Sequence, residues 1–192
     1  MDKLGIEVKL NTEVKDTNML RADDIIIATG AKPRKLNIPG FDKTIEACEY
    51  LNGKEVGNNV VVIGGGLTGS EIAYELALGG KTVTIVEMKN DLIAQKGVCL
   101  ANSSYLREWF ALNKTSVYLG ATVKEVKDSS IIIKTKEDED KEIPCDSVIS
   151  SVGYIPAPLT EAKNKVHLVG DCLSVGNLRS VIWRAYEVAM KI

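Results

Sequence analysis

The order of apolar and polar positions along this chain changes period repeatedly, and each change marks an element. Val60-Val61-Val62-Ile63 is an uninterrupted apolar run, the pattern of a strand covered on both faces. Glycines follow, then a helical stretch over Ser70–Leu78 stopped by Gly79-Gly80, then a second strand over Thr82–Val86. Further along, the spacing predicts a helix around Ser103–Leu112 and strands at Val117–Leu119, Val123–Val126 and Ile131–Thr135, with Lys136–Lys141 as a charged hairpin tip. Val148–Val152 and Val166–Val169 read as apolar strands. The last helix, Leu178–Ile192, carries Val181, Ile182, Ala185, Val188 and Ala189 at helical spacing. Strands alternating with helices predict an α/β fold built on a parallel sheet, and the clustered short strands add a β-meander.

Two stretches repeat. Val8–Lys15 and Val117–Lys124 largely alternate apolar and polar residues, so both read as short strands. Each is followed by an aspartate, an apolar strand, a glycine and a proline: Asp23 to Gly30 and Pro33 in the first copy, Asp146 to Gly153 and Pro156 in the second. In the second copy a glycine-rich strand-to-helix turn precedes this pattern, whereas in the first only seven residues precede it. The expectation is a fragment of a longer protein, with a naturally short protein as the alternative. Ala31–Phe41 and Tyr154–Ala157 read as linkers on their prolines and glycines. The expected organisation is 1–43 as the tail of a first nucleotide-binding fold, 44–156 as a complete second one, and 157–192 as a return to the first.

The chemistry is concentrated between the first two strands. Gly64-Gly65-Gly66-Leu67-Thr68-Gly69 is a G-x-G-x-x-G turn that joins an apolar strand to a helix, and the next strand ends in Glu87. That is the dinucleotide-binding fingerprint in its full context. Gly64 permits the tight turn, Gly66 lets the backbone approach a pyrophosphate, and Gly69 lets the helix pack closely on the strand. The helix N-terminus offers N–H groups and a positive dipole end to phosphate. Glu87 is placed to accept hydrogen bonds from a ribose 2′-hydroxyl and to repel a 2′-phosphate, which favours NAD(H) over NADP(H), although Lys89 lies nearby. Each assignment has a plainer counterpart. Glu87 is a surface acid at a strand end; Glu71 is a helix N-terminal charge; Asp171 is a turn former after Gly170. His167, in an apolar strand, reads as a packing residue, and so do Trp109 and Phe110.

Composition narrows the partners. The 192 residues carry a net charge of −2, with 45% hydrophobic and 26% charged residues, and show no basic stripe, so nucleic acid is not an expected partner. No apolar run has the length of a membrane span and no leader peptide is visible, so the expected setting is the cytoplasm, with no membrane partner. Cys48, Cys99, Cys145 and Cys172 form neither a C-x-x-C pair nor a ligand-spaced set with His167, which leaves no metal site and no redox dithiol to expect. No catalytic acid, base or nucleophile stands out, consistent with hydride chemistry, in which the cofactors react and the protein orients them.

Four stretches in order make a family resemblance: Ala28-Thr29-Gly30-Ala31 with Pro33, Gly64 to Glu71, Ser151 to Pro156, and Val169 to Cys172. Together they resemble the pyridine-nucleotide portion of flavoproteins with two dinucleotide-binding domains, and more narrowly the C-terminal part of 2-enoate reductase, 2,4-dienoyl-CoA reductase and trimethylamine dehydrogenase. The resemblance implies a Rossmann-like NAD(P)-binding domain inserted in a truncated FAD-binding domain, in three layers. It implies that Gly64, Gly65, Gly66, Leu67, Thr68 and Gly69 hold the NAD pyrophosphate, that Glu87 holds the adenosine ribose, that Gly153 closes the nucleotide site, and that Glu71 helps orient the nicotinamide. It further implies that Thr29 and Gly30 line the FAD side and that Asp171 bonds the ribityl chain. In such reductases a barrel with FMN and a 4Fe–4S cluster precedes this portion. The implied partners are therefore a nicotinamide dinucleotide and upstream flavin and barrel domains.

The upstream FAD fingerprint is not in this sequence, so tight FAD binding by this chain alone is not expected, and uncovered apolar surface makes self-association an expectation. Alternatives are another two-domain NAD(P)H:flavin oxidoreductase, of NADH oxidase or ferredoxin reductase type, and a non-catalytic nucleotide-sensing module.

Overall fold

The computed structural model describes residues 1–95 and 97–192. In chain order its strands and α-helices are β1 (Ile25–Ile27), β2 (Ala31–Pro33), β3 (Ile45–Glu46), α1 (Ala47–Leu51), β4 (Asn59–Ile63), α2 (Leu67–Leu78) and β5 (Thr82–Glu87). There follow α3 (Leu100–Leu112), β6 (Ser116–Leu119), β7 (Thr122–Val126), β8 (Ser130–Lys134), β9 (Asp140–Pro144), β10 (Ser147–Ser150), β11 (Tyr154–Pro156), β12 (Val166–Leu168) and α4 (Leu178–Ala189). These fall into two compact units, one of residues 33–153 and one of residues 1–32 with 154–192.

The 33–153 unit is built on a five-stranded sheet of order β3-β10-β4-β5-β6, parallel throughout. The apolar run of β4 is explained by its two sides. Val60 and Val62 join a core formed with Ile72, Ala73 and Leu76 of α2 and Leu106 and Phe110 of α3. Val61 and Ile63 join a second core with Val123, Val126, Ile131, Ile133 and Ile143 of the antiparallel meander β7-β8-β9. Successive side chains of a strand face opposite ways, so a strand between helices and a meander has no polar side to spare. Helices, parallel sheet and meander make the three expected layers. Asp146 sets the register of β10 on β4, its Oδ2 accepting the backbone N–H groups of Asn59 at 2.8 Å and Asn58 at 3.0 Å.

The smaller unit holds the parallel pair β1–β12, the pair β2–β11 and α4. Ile27, Val166 and Cys172 form its small core. His167 Nε2 lies 2.8 Å from Asp24 Oδ1, tying the start of β1 to β12. His167 is therefore half-buried and partnered at a strand edge rather than packed in a core.

Several expectations are corrected. Val8–Lys15 is not a strand; Val8 and Leu10 are exposed. Alternation marks a surface suited to a sheet, but a lone strand has no neighbour for its N–H and C=O groups. The supposed linkers contain β2 and β11, which pair with each other, because the two repeat copies place a three-residue extended stretch at the same offset past Gly30 and Gly153. α2 begins at Leu67, not Ser70, so Gly69 lies inside the helix. β9 takes in Asp140 and Lys141, so the hairpin tip is shorter than the charged run Lys136–Lys141 predicts. α1 was not anticipated, although Glu46 and Glu49 form a capping box around its start.

Candidate functional site

The fingerprint turn leaves the end of β4 in the middle of the sheet. Gly64 N donates to Val86 O on β5 at 2.8 Å. Gly64 has φ +103°, a conformation L side chains rarely adopt, and a Cβ there would strike the Ser151 carbonyl. Gly69 packs its Cα against the Gly64 carbonyl, so a methyl group at that position has no room. Gly66 is different. A Cβ on it would meet only the flexible end of Gln95, its Oε1 3.2 Å away. Of the three fingerprint glycines, two are enclosed by the protein's own backbone and the middle one leaves space.

That space lies at the N-terminus of α2. Gly66 is the N-cap and has no side chain to cap the helix. The first intrahelical bond, Ser70 N to Gly66 O at 2.9 Å, leaves the amides ahead of Ser70 outside the helical ladder. Leu67 is half-buried, Thr68 and Glu71 are exposed, and Gly69 is buried. Free N–H groups, a positive dipole end and an approachable Cα together suit a phosphate group. These features fit the pyrophosphate of a dinucleotide.

Glu87 ends β5 beside the turn and is 7% exposed. Its Oε2 accepts the Gly65 N–H at 2.6 Å and its Oε1 accepts the Lys89 N–H at 2.7 Å. It is therefore neither the surface acid of the plainer reading nor a carboxylate held only for a ligand. It braces the turn through charge-assisted bonds. Each carboxylate oxygen has a second lone pair for a hydroxyl donor.

Gly153 follows β10, the strand beside β4, and is exposed. Gly64 to Gly69, Glu71, Glu87 and Gly153 all belong to the 33–153 unit. Thr29, Gly30 and Asp171 belong to the smaller unit, at the C-terminal ends of its parallel strands β1 and β12. There Thr29 Oγ1 donates to Ala157 O at 2.7 Å, Ala157 N donates to Gly30 O at 3.1 Å, and Asp171 Oδ1 accepts Gly176 N at 3.1 Å. Asp171 thus does the work of a turn former. α4 has its own cap, Asn177, whose side chain accepts Ser180 N at 3.0 Å. Among the described residues, no cluster of His, Cys, Asp and Glu is arranged to hold a metal ion, and no helix is long and apolar enough to cross a membrane.

Sequence reasoning missed the segment after β5. Leu92 lies against Gly65, and Ile93 N donates to Gly65 O at 2.7 Å. Both are buried. Nothing in the residue pattern marks them, because the contact joins two loops through the fold.

Comparison with known proteins agrees with the geometry. Residues 2–177 match the model of the pyridine nucleotide-disulphide oxidoreductase family. Over 98% of its length the chain is 37% identical to cinnamate reductase of Clostridium sporogenes, and over its full length 29% identical to NADH oxidase of Thermoanaerobacter brockii. The matched portions are 30% and 32% of those proteins, so the chain spans about a third of their length. The solved structure of a 2-naphthoyl-CoA reductase in complex with 2-naphthoyl-CoA superposes on the whole chain with a TM-score of 0.82 at 30% identity, using 30% of that chain. On the match over residues 2–177, this chain belongs to the pyridine nucleotide-disulphide oxidoreductase family.

Proposed function

We propose that this chain is the NADH-binding portion of a flavin-dependent oxidoreductase of the enoate-reductase type. The observation that carries the reading is the uncapped N-terminus of α2 with the open Cα of Gly66, next to the carboxylate of Glu87. The main-chain amides at Gly66, Leu67 and Thr68 receive the pyrophosphate. Glu87 takes a ribose hydroxyl on its remaining lone pairs and disfavours a 2′-phosphate by charge. Gly153 borders the site without a side chain, and Glu71, exposed on α2 one turn beyond its open end, is proposed to help orient the nicotinamide. NADH supplies a hydride, and in this reading the acceptor is FAD. Thr29, Gly30 and Asp171, at the strand ends of the other unit, are the groups proposed to line the flavin.

The substrate of the whole protein is proposed from its relatives, one named for cinnamate and one for 2-naphthoyl-CoA. They support an unsaturated carboxylate or its thioester; FMN and an iron–sulfur cluster outside this chain are proposed on the family resemblance of its motifs alone. The likeness to an NADH oxidase over the full length supports a second reading, an NADH:flavin oxidoreductase without that substrate.

Calorimetric titration with NADH and, separately, NADPH tests the nucleotide site. Saturable NADH binding, with NADPH weaker, is expected. Binding of neither would remove the assignment of Gly64 to Gly69. A separate titration with FAD is expected to show only weak binding; a stoichiometric flavin spectrum from the purified chain would overturn that.

A further inference from the structure

The two peptide groups that flank Gly65 are both held from outside the turn. Glu87 takes the Gly65 N–H, and Ile93 N donates to the Gly65 carbonyl at 2.7 Å. A trans peptide is planar, with its C=O and N–H pointing in opposite senses. The carbonyl of Gly65 and the N–H of Gly66 belong to one such plane. Fixing the carbonyl toward Ile93 therefore fixes the Gly66 N–H to point away from Ile93, and this amide is one of those at the open end of α2.

Ile93 needs support to do this. Its φ is +52°, a conformation costly for a β-branched residue. The support comes from α3. Arg107 Nε and Nη2 donate to Leu92 O at 3.0 and 2.7 Å, Nη2 also reaches Ile93 O at 3.4 Å, and Asp91 pairs with the same nitrogen at 3.0 Å. One guanidinium thus gathers three consecutive residues of the segment that pins Gly65. A lysine ammonium has no such fork.

We infer that Arg107 is a positioning residue for the nucleotide site: through Leu92 and Ile93 it sets the plane of the Gly65–Gly66 peptide and thereby aims the Gly66 amide at the pyrophosphate. It touches no ligand itself. The inference rests on the proposed nucleotide reading.

The test uses the full chain, wild type and Arg107→Met, titrated with NADH well below the unfolding temperature, with the backbone amide spectra of Gly65 and Gly66 recorded in the absence of nucleotide. Arg107→Met is expected to bind NADH about five- to tenfold more weakly, the size of one misaligned hydrogen bond. Its Gly66 amide signal is expected to shift or broaden, while those of Val61 and Val62 stay in place. Arg107→Lys is expected to fall between the two. If Arg107→Met does not fold, Arg107→Lys and Asp91→Asn carry the test, with the same local displacement at Gly66 and a loss of about twofold. Unchanged NADH affinity overturns the inference, and so does weaker affinity with an unmoved Gly66 signal, which marks a merely structural arginine. If the wild type does not bind NADH, the nucleotide reading fails and takes this inference's ligand with it. The Gly66 signal in Arg107→Met then decides the link from Arg107 to the turn by itself.

Discussion

α2 and α4 are both twelve-residue helices that follow a strand and a glycine-containing turn, yet their first turns are opposites. α4 starts from Asn177, which accepts Ser180 N while the Ser180 hydroxyl accepts Asn177 N, so the protein satisfies its own helix end. α2 starts from Gly66, which has nothing to offer. A helix end that is closed contributes stability, typically about 1 kcal/mol per cap. One that is left open gives that up and keeps its amides for something else. Their sides differ as well. α2 buries Ile72, Ala73 and Leu76 in the core of the parallel sheet. No residue of α4 is fully buried, and Leu178, Ile182, Trp183 and Tyr186 are exposed. The better-buried helix carries the open end, and the more exposed one carries the closed end. A binding terminus is useful only where its amides cannot drift, so an open end belongs on the better-packed element.

The largest effect that would break this contrast comes from Gly69. Gly69→Ala forces a methyl group onto the Gly64 carbonyl and should cost about 2–3 kcal/mol or more, seen as a lowered denaturation midpoint, with loss of NADH binding. An alanine tolerated without change would mean that α2 does not press on the turn. Glu87→Gln comes next. It sets an amide N–H₂ against one of two backbone donors in a buried site, and should cost about 1–3 kcal/mol while weakening NADH. Glu87→Arg should lose NADH affinity by more than NADPH affinity and, because Gly65 N loses its acceptor, should be destabilised as well. A stable variant with reversed preference would show the carboxylate to be a ligand group only.

Gly66→Ala sharpens the comparison. Only the end of Gln95 stands in the way, so stability should change by less than about 0.5 kcal/mol, while NADH affinity falls about tenfold as the methyl group occupies the phosphate's approach. Equal losses in both measurements would contradict the open-end description. On the closed side, Asn177→Ala should cost about 1 kcal/mol of stability and leave NADH affinity unchanged.

The smallest expected effect is one of pH. The Asn59 and Asn58 amides, in that order of weight among the bonds, hold the Asp146 carboxyl below its ordinary value of 3.8. A group lowered in the folded state contributes stability above its unfolded value and loses it as pH falls through the folded one. The stability difference between wild type and Asp146→Asn should therefore be constant above about 3.8 and shrink as pH falls below it. A difference that does not shrink below about 3.8 would remove the Asp146 carboxylate from the register of β4 and β10.

Much of this molecule is legible in the sequence because its signals are local. The run Val60 to Ile63 announces a strand between two layers. The glycine spacing announces a turn into a helix. The elements that were misread are those whose state depends on a partner. Val8–Lys15 has the alternation of a strand without one to pair with, while β2 and β11, read as linkers, become strands because each supplies the other's hydrogen bonds.

The sequence alone determined the α/β class, the strand–turn–helix at Gly64 to Gly69 and the acid at the end of β5, since each follows from covalent geometry and spacing. Tertiary structure alone decided what those residues do to one another: that Glu87 braces Gly65, that Ile93 holds the other side of the same residue, and that Arg107 reaches it from α3. The reason is physical. A hydrogen bond depends on distance and direction between groups, and groups from separate loops acquire both only after the sheet and helices have packed.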